Sequence, residues 1–136
     1  MLQHLRDEVF CRLAPSGVSG VGVFAVRDVP RGTQMFFTRR DAEVVVAGSD
    51  RQELPSGVAM MVGDYGMRVG NEWHMTRMDL NAPSLKLFIN HGTEPNVDAV
   101  TDDAEDWIEA VRDIAAGEEL CRDYRTDVAD EIFEGR

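Results

Sequence analysis

Three short segments hold most of the residue types able to do chemistry in this chain of 136 residues. Asn90-His91-Gly92-Thr93-Glu94-Pro95-Asn96 follows the apolar run Leu87-Phe88-Ile89 and gathers two amides and an imidazole. Such a segment can close an Asx-type turn on its own backbone, or it can fix a polar small molecule through amide donors and acceptors. Leu120-Cys121-Arg122-Asp123-Tyr124 reads as a strand whose alternation puts Leu120, Arg122 and Tyr124 on one face and Cys121 and Asp123 on the other. Tyr65 and Tyr124 are the only two tyrosines, so each phenol is a scarce resource for hydrogen bonding in a site. Gly20-Val21-Gly22-Val23-Phe24-Ala25 has the G-x-G-x-x-A form of a dinucleotide-binding turn. That motif works only where a helix opens at the glycines and presents its N-terminus to a pyrophosphate. Here Val23-Phe24-Ala25-Val26 runs into Asp28-Val29-Pro30-Arg31-Gly32, and β-branched residues with two breakers exclude a long helix. What survives is a glycine pair opening a strand, where missing Cβ atoms let a ligand or another backbone come close. His4, His74 and His91 are far apart, and Cys11 and Cys121 form no C-x-x-C pair, so neither a metal site nor a disulfide framework is expected.

The elements that must position these segments are short β-type runs broken by turns at close intervals, the pattern of a mostly β fold. Val9 to Leu13 and Val21 to Val26 flank Gly17-Val18-Ser19-Gly20 and read as a hairpin. Gln34 to Phe37 and Glu43 to Ala47 are further strands, and Asp50 to Leu54 is a helical turn that Pro55-Ser56-Gly57 stops. Tyr65 to Val69 and Glu72 to Thr76 flank Gly70-Asn71, a two-residue connection suited to positive φ, and predict another hairpin. Ser84 to Ile89 leads into the Asn-His segment, Val97 to Thr101 pairs with Trp107 to Arg112, Glu118 to Tyr124 is the last strand, and Asp127 to Phe133 is a short helix. Repeats, low-complexity tracts and linkers are absent, so one domain over 1–136 is expected.

The charge is distributed unevenly. Of 14 basic and 25 acidic side chains, residues 1–93 hold ten of each, so the formal net charge of −11 falls entirely on residues 94–136. That balance argues against a nucleic-acid or anionic-membrane partner, which needs clustered Lys and Arg, and favours a cationic one. The longest apolar stretches, Val44 to Ala47 and Val58 to Val62, are too short to span a bilayer, and the N-terminus has no signal-peptide pattern, so a cytoplasmic location is expected.

Taken in order, Gly20 to Ala25 with Asp28 to Gly32, then Phe88-Ile89-Asn90-His91 with Pro95-Asn96, then Ile114 to Leu120 with Asp123-Tyr124, resemble the SET domain of protein lysine methyltransferases. The match runs from about residue 12 to 124, with 125–136 left as a short closure. The resemblance implies a β-clip fold of small sheets with few short helices and a C-terminal knot-like crossing, in which the Asn-His segment lies under the Asp-Tyr strand. It implies S-adenosyl-L-methionine as cofactor, held by Gly20, Val21, Gly22, Phe24, Asn90, His91 and Tyr124, with no metal. It also implies transfer of methyl to a lysine of a basic protein or peptide. Tyr124 takes the catalytic position and Tyr65 is a second channel candidate, while Leu120, Arg122 and Phe133 would line the substrate channel. Where the family commonly has an aromatic or aliphatic residue two before the catalytic tyrosine, this chain has Arg122. The alternative is a catalytically inactive SET-like module that binds cofactor or a basic partner. The short closure leaves room for a second subunit, so a homodimer is expected.

Overall fold

The structure is a computed structural model that describes residues 1–76, 80–81 and 83–126. The expected helix over 127–133, and with it Phe133, lies outside the described residues. The chain divides into one compact unit made of Met1–Thr38 and Ser84–Tyr124 and a second built on Arg39–Pro83. No described helix is long and apolar enough to cross a membrane.

The first unit opens with the exposed helix α1 (Leu2–Asp7) and then the hairpin β1 (Cys11–Pro15) and β2 (Val21–Ala25). These strands pair antiparallel from Cys11 opposite Ala25 to Pro15 opposite Val21. The β-branched and aromatic residues of β2 favour the extended pleat, and Val23 at its centre is fully buried. β3 (Gln34–Arg39), β8 (Val97–Thr101) and β9 (Glu105–Ala110) form a second small sheet in the order β3-β9-β8. The third sheet is only two residues wide: β7 (Asn90–His91) lies parallel to β10 (Cys121–Arg122). A parallel pair cannot be closed by a tight turn, so the chain between them makes a long excursion through β8 and β9.

Val23, Val29, Ile89, Val97, Ile114 and Leu120 are each at most 1% exposed and share one core. They come from every motif segment, so at about 1.5–3 kcal/mol per buried aliphatic side chain the motifs are held by the interior they build. Backbone hydrogen bonds do the fine alignment. Val29 and Ile114 exchange N–H···O bonds of 2.8 Å in both directions, and Gly32 N–H donates to the Ala110 carbonyl. The Asp28-to-Gly32 turn is therefore zipped to residues 110–116, with the Asp28 carboxylate accepting from Ala116 N–H and the Asp113 carboxylate from Arg31 N–H.

The second unit contains β4 (Glu43–Ala47), the short helix α2 (Gly48–Gln52), α3 (Ser56–Tyr65), β5 (Met67–Val69) and β6 (Glu72–Thr76). The strands pair antiparallel in the order β4-β6-β5, and the Gly70-Asn71 connection turns as expected, with Gly70 at φ 60°. Trp73 is buried beneath the Arg51 guanidinium, whose centre sits 4.4 Å from the ring centroid.

The structure corrects four sequence expectations. Pro55-Ser56-Gly57 opens a helix instead of ending one: Pro55 is its N-cap, where a missing N–H costs nothing, and the apolar run from Val58 to Val62 lies within α3. Tyr65 is the last residue of that helix, not the first of a strand. Only Val62 of α3 is buried, although Val58, Met61, Val62 and Tyr65 fall at helical spacing, and small residues set much of its packing. A Cβ at Gly63 would sit 2.7 Å from the Arg51 guanidinium. The last strand, expected over Glu118 to Tyr124, shrinks to Cys121–Arg122 because the segment changes partners. Residues 118 and 120 bond to β2, and the chain then crosses to β7. Finally, α1 has no counterpart among the expected elements, since nothing in it is buried.

Burial pushes the Cys11 thiol up to about 11 from 9.0. Between those values the unfolded chain ionises while the folded one keeps its proton, so the fold binds more protons and its stability falls as pH rises through this window. Urea midpoints measured across that range are expected to decline more steeply for the natural chain than for Cys11→Ala, and equal slopes would refute the burial argument.

Candidate active site

The first unit brings together the glycine strand, the Asn-His strand and the Asp-Tyr segment. β2 is bonded to β1 along one edge and to residues 118–120 along the other, through Ala25 N–H to Glu118 O at 2.9 Å and Leu120 N–H to Val23 O at 2.7 Å. This second pairing sets Glu119 against Gly22. A Cβ at Gly22 would come within 2.9 Å of the Glu119 carboxyl carbon, so the second glycine is required by a close approach from within the protein. Gly20 sits at φ 49° with nothing within 4 Å of where a Cβ would be, which leaves the backbone there facing open space.

The Glu119 carboxylate accepts from Ser16 Oγ at 2.9 Å to each oxygen and from Asn90 Nδ2 at 2.9 Å. Asn90 Nδ2 also lies within bonding distance of the Ser19 and Val21 carbonyls, at 3.3 and 3.2 Å. Ser16 Oγ in turn accepts from Val18 N–H at 2.9 Å. One amide and one hydroxyl thereby staple the glycine turn to β7, and a carboxylate held by several donors is the stronger, charge-assisted kind of anchor.

Tyr124 is fixed from two sides. Its hydroxyl donates to the Ile89 carbonyl, its backbone N–H donates to His91 Nδ1 at 3.1 Å, and the two rings stand 5.2 Å apart. Below them Asn96 is 1% exposed and fully employed: its Nδ2 donates to Glu119 O and its Oδ1 accepts from Cys121 N–H, each at 2.8 Å. The Arg122 guanidinium lies over the Tyr124 ring, 5.1 Å from the centroid. Lys86, on the 3-10 turn Leu85–Phe88, donates to Thr38 Oγ1; burial lowers its pKa, the Asp106 charge raises it and the Arg122 charge lowers it.

Of the residues singled out in the sequence, Gly20, Val21, Gly22, Phe24, Asn90, His91, Arg122 and Tyr124 all lie in this unit, on or beside β2, β7 and β10. Leu120 is fully buried in the core and packs beneath the site. Tyr65 belongs to the other unit. Ser16 and Lys86 are not among the candidates, and Asn96 enters there only as part of the Asn-His segment, with no role of its own. Asn96 had a signal, an amide after proline between apolar runs, whereas Ser16 and Lys86 reach their places only through tertiary contacts. Among the described residues no group of His, Cys, Asp and Glu could hold a metal ion.

With this geometry in hand, the comparisons with known proteins are specific. Residues 20–125 match the SET domain family model. The chain is 30% identical over 135 residues to the histone-lysine N-methyltransferase trr of Drosophila melanogaster, an alignment that covers 96% of this chain and only 5% of that protein's length. Among solved structures it is similar to a Plasmodium falciparum protein described as a histone methyltransferase, with TM-score 0.58 at 16% identity, covering 89% of this chain and 97% of that one. It is similar as well to a chain of apo ctPRC2, with TM-score 0.59 at 20% identity, covering 94% of this chain and 16% of that one. The chain belongs to the SET domain family, in a fold of small sheets and few short helices shared with SET methyltransferases.

Because Asn96 satisfies two backbone groups that truncation would leave buried and unpaired, Asn96→Ala is expected to cost about 2–4 kcal/mol of unfolding free energy in urea titrations. A loss below about 1 kcal/mol would mean those groups find other partners.

Proposed function

We propose that the chain is an S-adenosylmethionine-dependent protein lysine N-methyltransferase acting on a basic protein or peptide. The observation that carries this reading is the fixation of Tyr124 against Ile89 and His91, the two neighbours of Asn90, whose amide reaches the Val21 carbonyl of the glycine turn. The donor set suits the cofactor: open space over Gly20, the backbone of the glycine turn, the Asn90-His91 strand and a phenol are polar without a metal. When bound, S-adenosylmethionine supplies an electrophilic methyl carbon on a cationic sulfonium. Gly20, Val21, Gly22, Phe24, Asn90 and His91 are the residues that would hold it.

The chain's own part is alignment and polarisation. By donating to the Ile89 carbonyl, the Tyr124 hydroxyl keeps its oxygen electron-rich, which favours positive charge nearby without adding a formal anion. The His91 bond to Tyr124 N–H holds the ring's backbone in place, so the phenol does not have to be ordered during the reaction.

The acidic C-terminal third supports a basic substrate in a narrower way than its charge suggests. Glu118 is bound by the Arg112 guanidinium, which with Ala115 N–H holds its pKa below the usual value, and Glu119 is spent on Ser16 and Asn90. Asp123 lies 3.9 Å from His91 Nδ1. Glu94 and Asp103 are exposed and able to meet a cationic partner. The guanidinium over Tyr124 favours a second reading, a SET-like module that binds cofactor or a basic partner without turnover.

Calorimetry should detect S-adenosylmethionine binding, and mass spectrometry should detect methyl on lysines of mixed core histones. Tyr124→Phe is expected to lower kcat by about 100-fold, the scale of losing one preorganised hydroxyl, with a smaller loss of cofactor affinity. Binding without transfer would select the module, and neither binding nor transfer would overturn both.

A further inference from the structure

The β3-β9-β8 sheet has a core face and an outer one. Val97 opposite Ala110 points into the core, so in the same antiparallel register Val100 opposite Trp107 and Asp98 opposite Glu109 point out. β3 breaks its own alternation to add to that outer face. Met35 and Phe37 are two residues apart and a regular pleat would put them on one side, yet Met35 is 4% exposed and Phe37 is 51% exposed. Between them Phe36 adopts φ 58°, a left-handed conformation that is strained for a bulky residue and works as a bulge, turning Phe37 out against Trp107 with the ring centroids 5.9 Å apart. Glu105 and Glu109 flank Trp107 on the same face of β9. Glu109 accepts from two neutral donors, Gln34 Nε2 at 3.4 Å and Trp107 Nε1 at 3.3 Å. Residues 97–110 hold six carboxylates and no Lys or Arg.

We propose that this outer face is a docking surface for an extended basic segment of a partner protein, with an arginine guanidinium stacked on the Phe37–Trp107 pair and bonded to Glu109 or Glu105. Aromatic faces attract a cation and the flanking carboxylates accept its N–H groups, so both kinds of side chain on the face favour the same charge. Arginine fits better than lysine because a planar, weakly hydrated guanidinium can stack on a ring and bond a carboxylate at once. An extended segment repeats its side chains about every 7 Å on one side, the same step that separates Glu105, Trp107 and Glu109 along β9. A phosphate backbone or an anionic membrane would instead be repelled by the carboxylates of this hairpin. Such docking serves an enzyme and a binding module alike.

Calorimetry with the whole chain and a short synthetic peptide that alternates Arg and Ser reads the docking with no lysine present to be methylated. Phe37→Ser, at an exposed side chain, and Glu109→Gln are each expected to weaken binding of this peptide about 5-fold, the scale of one cation–π contact or one charge-assisted hydrogen bond. Asp50→Asn, an exposed carboxylate of the other unit, is expected to leave it unchanged. A peptide alternating Lys and Ser should bind less tightly than the arginine one, and both should weaken as salt is raised. Equal binding of the two peptides, with Phe37→Ser and Glu109→Gln no weaker than Asp50→Asn, overturns the proposal and leaves bulk charge attraction alone. Absence of peptide binding overturns it as well, and self-association in sedimentation that Phe37→Ser abolishes would then assign the face to a second copy of the chain.

Discussion

The arrangement depends on how one short segment, residues 117–122, is shared between two neighbours. Along β2 it forms one ladder and along β7 another, and the changeover is held by the buried Asn96 amide. Asn96 bonds the carbonyl of Glu119 and the N–H of Cys121 with its side chain while its own N–H donates to Cys121 O and its carbonyl accepts from Val111 N–H. An apolar residue there would fill the space but strand those backbone groups, which is why a polar side chain sits at 1% exposure among aliphatics.

The site follows from that sharing. Glu119 is delivered to Gly22 on the β2 side, and Tyr124 is delivered to His91 and Ile89 on the β7 side. Precision is thus supplied by backbone ladders and buried donors and not by long regular elements. Carboxylates that look like free charge in composition are engaged within the chain: Glu118, at the surface, and the part-buried Glu119 tie turns together before they can act on any partner.

The second unit shows the opposite economy. α3 has a single buried residue, and its neighbour α2 begins at Gly48, where a Cβ would press into the Asn71 amide at 2.5 Å. Small residues and the Arg51 guanidinium on Trp73 do much of the packing there, and the helical spacing of Val58, Met61, Val62 and Tyr65 spans only about two turns.

The order of the three motif segments, the strand character of Val21 to Ala25, the β4-β6-β5 hairpin region and the pairing of β8 with β9 were all legible in the sequence. Each depends on local steric preference or turn chemistry that a few neighbouring residues decide. The glycine pair, Asn90-His91 and Asp123-Tyr124 stand out in the sequence by residue type, their roles come from the resemblance to the SET domain, and the structure places all three segments in one unit. Tertiary structure alone decided what those residues touch. That Gly22 answers to Glu119, that Asn90 serves Glu119 as well as the glycine turn, and that Arg122 lies on Tyr124 are contacts between residues 2 to 97 positions apart. Only Arg122 and Tyr124 are close enough for the sequence to hint at contact, and even there alternation gives a shared face without saying that the guanidinium folds onto the ring. The others come from long loop closures paid for by the common core, and no local pattern encodes them.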